Sequence, residues 1–296
     1  MPTPVRFHFV DVFADAPLHG NPLALVEDAD ALDVETMRAI AREFNQSETT
    51  FVLSPTDAAA TVRLRSFTPN GSEVFGAGHN ALGAWLWLVE NRLGDVAPPT
   101  GFVQQIGDDL LAVDVRRGAD GGAVVSMTQS TPVYGAEVAD RRRLAAALGL
   151  DVRALRTDLA PQVVSTGAGH LLVPLVDREA VDAVAPDAAQ LTAILEQAGG
   201  EGCYLYALDP AAPDAVAYAR FVNPIMGISE DPATGTAAGP LAALLVAHGH
   251  VPDGATAIIE QGFALGRPSR IRVTVAGDDV RVSGSGLMVA DGTLFL

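Results

Sequence analysis

The chain has 296 residues, 49% of them hydrophobic and 19% charged, which is enough apolar surface to offset the entropy of folding and excludes a disordered or fibrous chain. That length suits one large domain or two of about 150 residues. With 19 Lys and Arg against 36 Asp and Glu, the net charge of -17 repels phosphate backbones and anionic lipid heads, so neither nucleic acid nor membrane is an expected partner.

Every basic residue is arginine, which excludes a Schiff-base lysine, and the lone Cys203 excludes an internal disulfide and any cysteine-rich metal or iron–sulfur site. The opening MPTPVRFHFVDVF lacks a charged region followed by an apolar one, and no run of about 18 apolar residues follows, so the expected compartment is the cytoplasm.

In chain order, alternation over residues 5–13 predicts a strand, and apolar positions near helical spacing over 32–44 predict a helix capped by Asp33. A strand is expected over 61–67. The segment 81–93, ALGAWLWLVENRL, is apolar around most of a helix, which only a helix surrounded by protein can be. STPVYGA at 130–136 breaks the pattern, which places a junction there and divides the chain into halves 1–130 and 131–296, with the last strand free to pack back on the first half. Helices are expected over 141–150 and 187–198, and CYLYAL reads as a buried strand with Cys203 as a small apolar filler. Strands over 215–222 and 270–275 bracket a second all-round apolar helix, TAAGPLAALLVAH, at 236–248.

The segments leading into the two apolar helices resemble each other. RSFTPNGSEVFGAGHNALG begins at Arg65 and RFVNPIMGISEDPATGTAAG at Arg220. Aligning Ser72-Glu73 with Ser229-Glu230 pairs Ala77 with Thr234, Gly78 with Gly235 and His79 with Thr236. A repeat displaced by half the chain suggests two copies of one unit, each a strand, a tight turn and a buried helix. Each turn would present unpaired N–H groups at the positive end of a helix dipole, a cradle for a carboxylate or phosphate. Two cradles facing each other across a domain cleft would hold a small anion.

Four stretches carry a resemblance to the phenazine-biosynthesis isomerase family, the PhzF-like proteins: VDVFADAPLHGNPLALV, NQSETTFV, FTPNGSEVFGAGHNALGA and GISEDPATGTAAGPL, with EQGFALGRPSRIRV in support. The resemblance implies an α+β, diaminopimelate epimerase-like fold of two pseudo-symmetric domains, each a curled, mostly antiparallel sheet around a central buried helix. It also implies an active site between the domains, a homodimer, a small anionic metabolite as substrate, and no cofactor or metal. By the same resemblance Glu48 of the SETTF motif is the acid/base, and Gly78, His79, Asp231, Gly235 and Thr236 bind substrate. Thr236 stands where the family has serine, which keeps the hydroxyl and adds a methyl. Related epimerases use a thiol at each helix start, positions held here by Ala77 and Thr234, so a two-thiol racemase is excluded. Glu48 needs a raised pKa for this work, and its neighbours Phe44 and Phe51 are the expected source of burial.

Each residue also has a plainer reading. Glu48 alone is a carboxylate at a strand start, His79 a helix-start residue bonded to backbone, and Asp231 a turn cap before proline. GAGHNA fits the dinucleotide fingerprint, but a polar turn precedes it and Glu90 lies inside the helix. His248, His250 and Asp253 suggest a metal site or, more simply, a helix C-terminus capped at glycine. Gly262, Arg267 and Ser269 could hold a carboxylate, or Arg267 could pair with the chain's own acids. The expected function is a cofactor-independent isomerase moving a proton on a small carboxylate by one carboxyl group. The alternatives are a single-base epimerase or lyase, and an idle metabolite-binding protein.

Overall fold

The computed structural model describes residues 3–93, 100–118 and 121–296 and is an α+β protein. The chain divides into two compact units, Met1–Met127 with Ser283–Leu296, and Thr128–Val282. The first elements are β1 (Pro4–Val12), β2 (Asn21–Val26), α1 (Val34–Phe44), β3 (Thr49–Leu53), β4 (Val62–Phe67), β5 (Glu73–Val74), α2 (His79–Leu88), β6 (Thr100–Ile106), β7 (Asp109–Arg117) and β8 (Ala123–Gln129). They are followed by β9 (Val133–Glu137), α3 (Arg141–Ala147), β10 (Gln162–Ser165), β11 (Gly169–Pro174), α4 (Arg178–Asp182), α5 (Ala188–Ala198), β12 (Gly202–Ala207) and β13 (Ala217–Asn223). The last are β14 (Ile228–Asp231), α6 (Gly235–Ala247), β15 (Thr256–Gln261), β16 (Ser269–Ala276), β17 (Asp279–Gly284) and β18 (Gly286–Phe295). The segment expected to break the pattern at 130–136 carries β9, an exposed strand that pairs with β10.

The repeat seen in the sequence is a repeat of strand pairing. In the first unit the order β18–β1–β2–β3–β4–β6–β7 runs antiparallel, antiparallel, parallel, antiparallel, parallel, antiparallel. The second unit's β9–β10–β11–β12–β13–β15–β16 has the same sequence of directions. Both parallel pairs need helical crossovers, supplied by α1 and α2 in one unit and by α4–α5 and α6 in the other. The short strands β5 and β14 pair back onto β4 and β13. Each stub holds a glutamate that grips an arginine with two hydrogen bonds: Arg65 to Glu73 at 2.7 and 2.8 Å, and Arg220 to Glu230 at 3.0 and 2.7 Å.

The crossover helices follow from local chemistry. Asp33 caps α1 by accepting from the Thr36 amide at 2.8 Å, and Asn45 ends it in the left-handed region at φ 51. Met37, Ile40 and Ala41 then face a cluster containing Phe51 and Phe67. All ten residues of α2 are buried, and α6 is buried from Ala237 to Leu245. Burying side chains such as Leu82, Trp85 and Leu241 contributes about 1.5–3 kcal/mol each. Gly83 lets α2 lie against its sheet: a Cβ there would come within 2.6 Å of Leu23 and 2.7 Å of Val12.

Candidate active site

Glu48 lies in the three-residue link between Asn45 and β3. That link is held by Gln46, whose side-chain amide donates to the Phe44 carbonyl at 3.0 Å, and by Ser47, which meets Asn21 at 3.3 Å. Side chains alternate along a strand, so Glu48 shares a face with Thr50 and lies opposite Phe51. Thr50 meets the Ser66 hydroxyl at 2.9 Å, and Asn80 of α2 donates to that same hydroxyl at 3.1 Å, so this face looks onto the mouth of α2. Phe51 and Phe44 instead pack in the cluster beneath α1. The neighbour of Glu48 that the geometry shows is therefore His79 at the helix mouth, while the two phenylalanines expected to bury it belong to the cluster beneath α1.

At that mouth the His79 imidazole Nδ1 lies 4.0 Å from Glu48 Oε2, too far for a direct hydrogen bond. Side-chain exposure is 9% for His79 and 19% for Glu48, so the pair is sheltered but reachable. Burial lowers the His79 pKa to about 4, which keeps the ring neutral near pH 7, and the positive end of the helix dipole acts in the same direction. Nε2 of His79 is buried without a hydrogen-bond partner among the described residues. The turn ahead of the helix is sewn by Asn80, which accepts from the Gly78 amide at 2.7 Å and donates to the Gly76 carbonyl at 3.0 Å. The Gly78 amide is thus engaged inside the protein, and the cradle expected there is occupied by Asn80 Oδ1.

In the second unit, β14 ends at the buried Asp231 and α6 begins at Gly235. Thr234 donates its hydroxyl to Asp231 Oδ2 at 2.6 Å and its amide to Gln261 Oε1 at 3.1 Å. Gln261 in turn donates to the Asp231 carbonyl at 2.7 Å, accepts from the Tyr204 hydroxyl at 2.9 Å, and so fixes the loop from β12 and β15 at once. The Gly235 carbonyl accepts from Gln129 at 3.1 Å. Thr236 is the most exposed residue between Asp231 and Leu245. One oxygen of Asp231 therefore does the plainer job of holding a turn.

The six expected site residues fall into two groups, each at the opening turn of a buried helix: Glu48, Gly78 and His79 at α2, and Asp231, Gly235 and Thr236 at α6. Asn80, Gln129, Gln261 and His170 were not singled out. Asn80 lies in GAGHNA, where an amide two residues past a glycine is a legible turn signal, and His170 has no such signal. Elsewhere the structure gives the remaining signalled residues local surroundings. GAGHNA follows a two-residue antiparallel strand, not the long parallel strand of a dinucleotide site. Gly249 past α6 is left-handed at φ 73, and Asp253 accepts from the Gly277 amide at 2.9 Å. Among the described residues no group of three His, Cys, Asp or Glu is placed to hold a metal. Ser269 gives its hydroxyl to the carbonyls of Pro232 and Gln261, both at 3.0 Å, and Cys203 is buried with its thiol pKa pushed up by desolvation. No helix among the described residues is long and apolar enough to cross a membrane.

Comparison with known proteins bears on what this arrangement does. The family model described as "Phenazine biosynthesis-like protein" matches residues 10–292. A trans-2,3-dihydro-3-hydroxyanthranilate isomerase of Pseudomonas aeruginosa is 34% identical, covering 98% of this chain and 99% of that one. The crystal structure of a PhzF-family phenazine biosynthesis protein from Bacillus anthracis aligns with a TM-score of 0.91 at 25% identity over 99% of this chain and 100% of that one. A hydroxyproline epimerase of Agrobacterium vitis, at 12% identity and TM-score 0.64 over 100% of this chain and 94% of that one, shares the fold.

Proposed function

The chain belongs to the phenazine biosynthesis-like family and is an isomerase, and we propose that it moves a proton between two carbons of a small carboxylate with Glu48 as its one acid–base group. The observation that carries this reading is the sheltered carboxylate of Glu48 beside a neutral His79 at the mouth of α2. Of the other carboxylates of these turns, Glu73 and Glu230 are committed to arginines. In the proposed step a substrate C–H bond breaks as Glu48 takes the proton, the electron pair shifts along the adjacent double bonds, and the new carboxylic acid returns the proton to a different carbon. Nothing is oxidised or lost. His79, uncharged, orients the substrate by a hydrogen bond and adds no competing charge beside Glu48. Asp231, Gly235 and Thr236 are proposed as further substrate-binding residues on the strength of the family resemblance, with the first-turn amides of α6 holding an anionic group.

The first substrate to test is trans-2,3-dihydro-3-hydroxyanthranilate, which the P. aeruginosa relative's name identifies as its own. Turnover in heavy water should place one deuterium on a single product carbon. Stereochemical inversion without a shifted double bond would make the protein an epimerase instead. A panel of small carboxylates that bind without exchange would make it a binding protein.

A further inference from the structure

His170 lies on β11, opposite Gly202 of β12, and its Nε2 approaches the Thr236 hydroxyl at the mouth of α6 to 3.4 Å. We propose that His170 is a positioning residue that donates from Nε2 to Thr236 Oγ1 and so turns the threonine's own hydrogen outward, where it binds the anionic group of the substrate.

Three observations carry this. First, the ring is held in one place. Phe221 meets it edge-on at 5.0 Å and 84°, and Gly202 makes the room, since a Cβ there would come within 2.5 Å of Phe221 and 3.2 Å of His170 Nδ1. Second, the tautomer is decided by what surrounds it. His170 is 4% exposed, its Nδ1 has no hydrogen-bond partner among the described residues, and burial lowers its pKa to about 4, so the ring is neutral and carries one hydrogen. A buried N–H with no acceptor is the rarer fault in proteins, which puts the hydrogen on Nε2 and leaves Nδ1 bare. Third, the threonine has its own hydrogen left to give. A helical threonine ordinarily returns it to the carbonyl four residues back, here Pro232, but among the described residues the Thr236 hydroxyl meets His170 Nε2 alone. Thr236 is also the most exposed residue of this turn, beside Asp231 at 8% and Thr234 at 9%. A donor hydroxyl beside first-turn amides selects a carboxylate or phosphate oxygen.

The proposal deepens the proton-transfer reading and rests on it for the identity of the ligand, so the test has two arms. Nitrogen NMR of the imidazoles in the whole protein at pH 7 needs no substrate. It should show His170 protonated at Nε2 and bare at Nδ1, with the Nε2 resonance moved by Thr236→Val. Protonation at Nδ1, or a resonance indifferent to Thr236→Val, overturns the proposal whatever the enzyme's substrate. The second arm is steady-state turnover of trans-2,3-dihydro-3-hydroxyanthranilate. His170→Met, which fills the space without a donor, should raise KM about tenfold, the worth of one oriented hydrogen bond, with a smaller change in kcat. His170→Gln, which presents an amide donor at similar reach, should restore most of it, and His170→Met should add nothing in the Thr236→Val background. An unchanged KM in His170→Met, or penalties that add, also overturns it. If the wild type turns nothing over, the proton-transfer reading falls and the NMR arm still decides His170.

Discussion

The two helix mouths are built alike and equipped differently. The strand registers make the comparison residue by residue: Phe51 lies opposite Arg65 as Leu205 lies opposite Arg220, so Glu48 corresponds to Gly202 and Ser66 to Phe221. Where the first mouth has a carboxylate beside the neutral His79, the second has a glycine and a phenylalanine ring packed on the neutral His170. The arginine–glutamate grip, the tight turn and the buried helix are kept in both. Duplication has thus preserved the parts that hold the turn and changed the parts that face its mouth. One copy has a carboxylate beside a histidine at its mouth, and the other has a histidine beside a threonine hydroxyl.

The largest effect expected from breaking that comparison is at the grips. Arg220 has a side-chain exposure of 10%, against 21% for Arg65, and also donates to three carbonyls, those of Val181, Asp182 and Val184. Arg220→Met leaves Glu230 buried and uncompensated and should cost about 3–5 kcal/mol. Arg65→Met should cost less, about 1–2 kcal/mol, because water reaches Glu73 more readily. Urea unfolding of both variants measures the difference, and equal losses would deny that the second unit depends more heavily on its grip.

Next in size is a pH effect common to both mouths. His79 and His170 are each held near pKa 4 by burial, below the 6.5 of the unfolded chain. As pH falls through 6.5 the unfolded state takes up these protons first, so stability declines from about pH 6.5 to about 4, by roughly 3 kcal/mol for each histidine at most. Paired carboxylates lose their contribution at lower pH, which separates the two effects. His79→Asn and His170→Gln should each flatten part of the decline, as read by thermal unfolding across the range; a slope unchanged in both would show that neither ring is held neutral. The smallest effect expected is at the position that parts the copies. Gly202→Ala drives a Cβ against the Phe221 ring and should cost about 1–3 kcal/mol. The same change made at Glu48 meets no such wall and should leave thermal stability within about 0.5 kcal/mol.

Much of this architecture was legible in the chain. Two helices apolar all round announced two cores, the shared turn motifs announced their kinship, and Asp33 announced the helix start it caps. Glu48 and His79 were legible through a motif resemblance, and the structure brings them together. What could not be read was which face of a strand a neighbour occupies: Phe44 and Phe51 are adjacent to Glu48 in sequence and packed beneath a different helix. Nor could the fate of particular hydrogen bonds be read. Gly78 looked like an open donor, yet Asn80 takes its amide. His170 stands 66 residues from Thr236, and only the folding of β11 beside the start of α6 makes them partners. Sequence patterning reports burial along one element. It does not report contacts made across elements.

The most direct measurement follows deuterium from heavy water into trans-2,3-dihydro-3-hydroxyanthranilate with Glu48→Gln in place of the wild type, alongside calorimetric binding of the same compound. Removing a general acid–base group should slow exchange by about 10²–10⁴-fold while affinity stays within about threefold. Exchange continuing at the wild-type rate in that variant would show that some other group carries the proton.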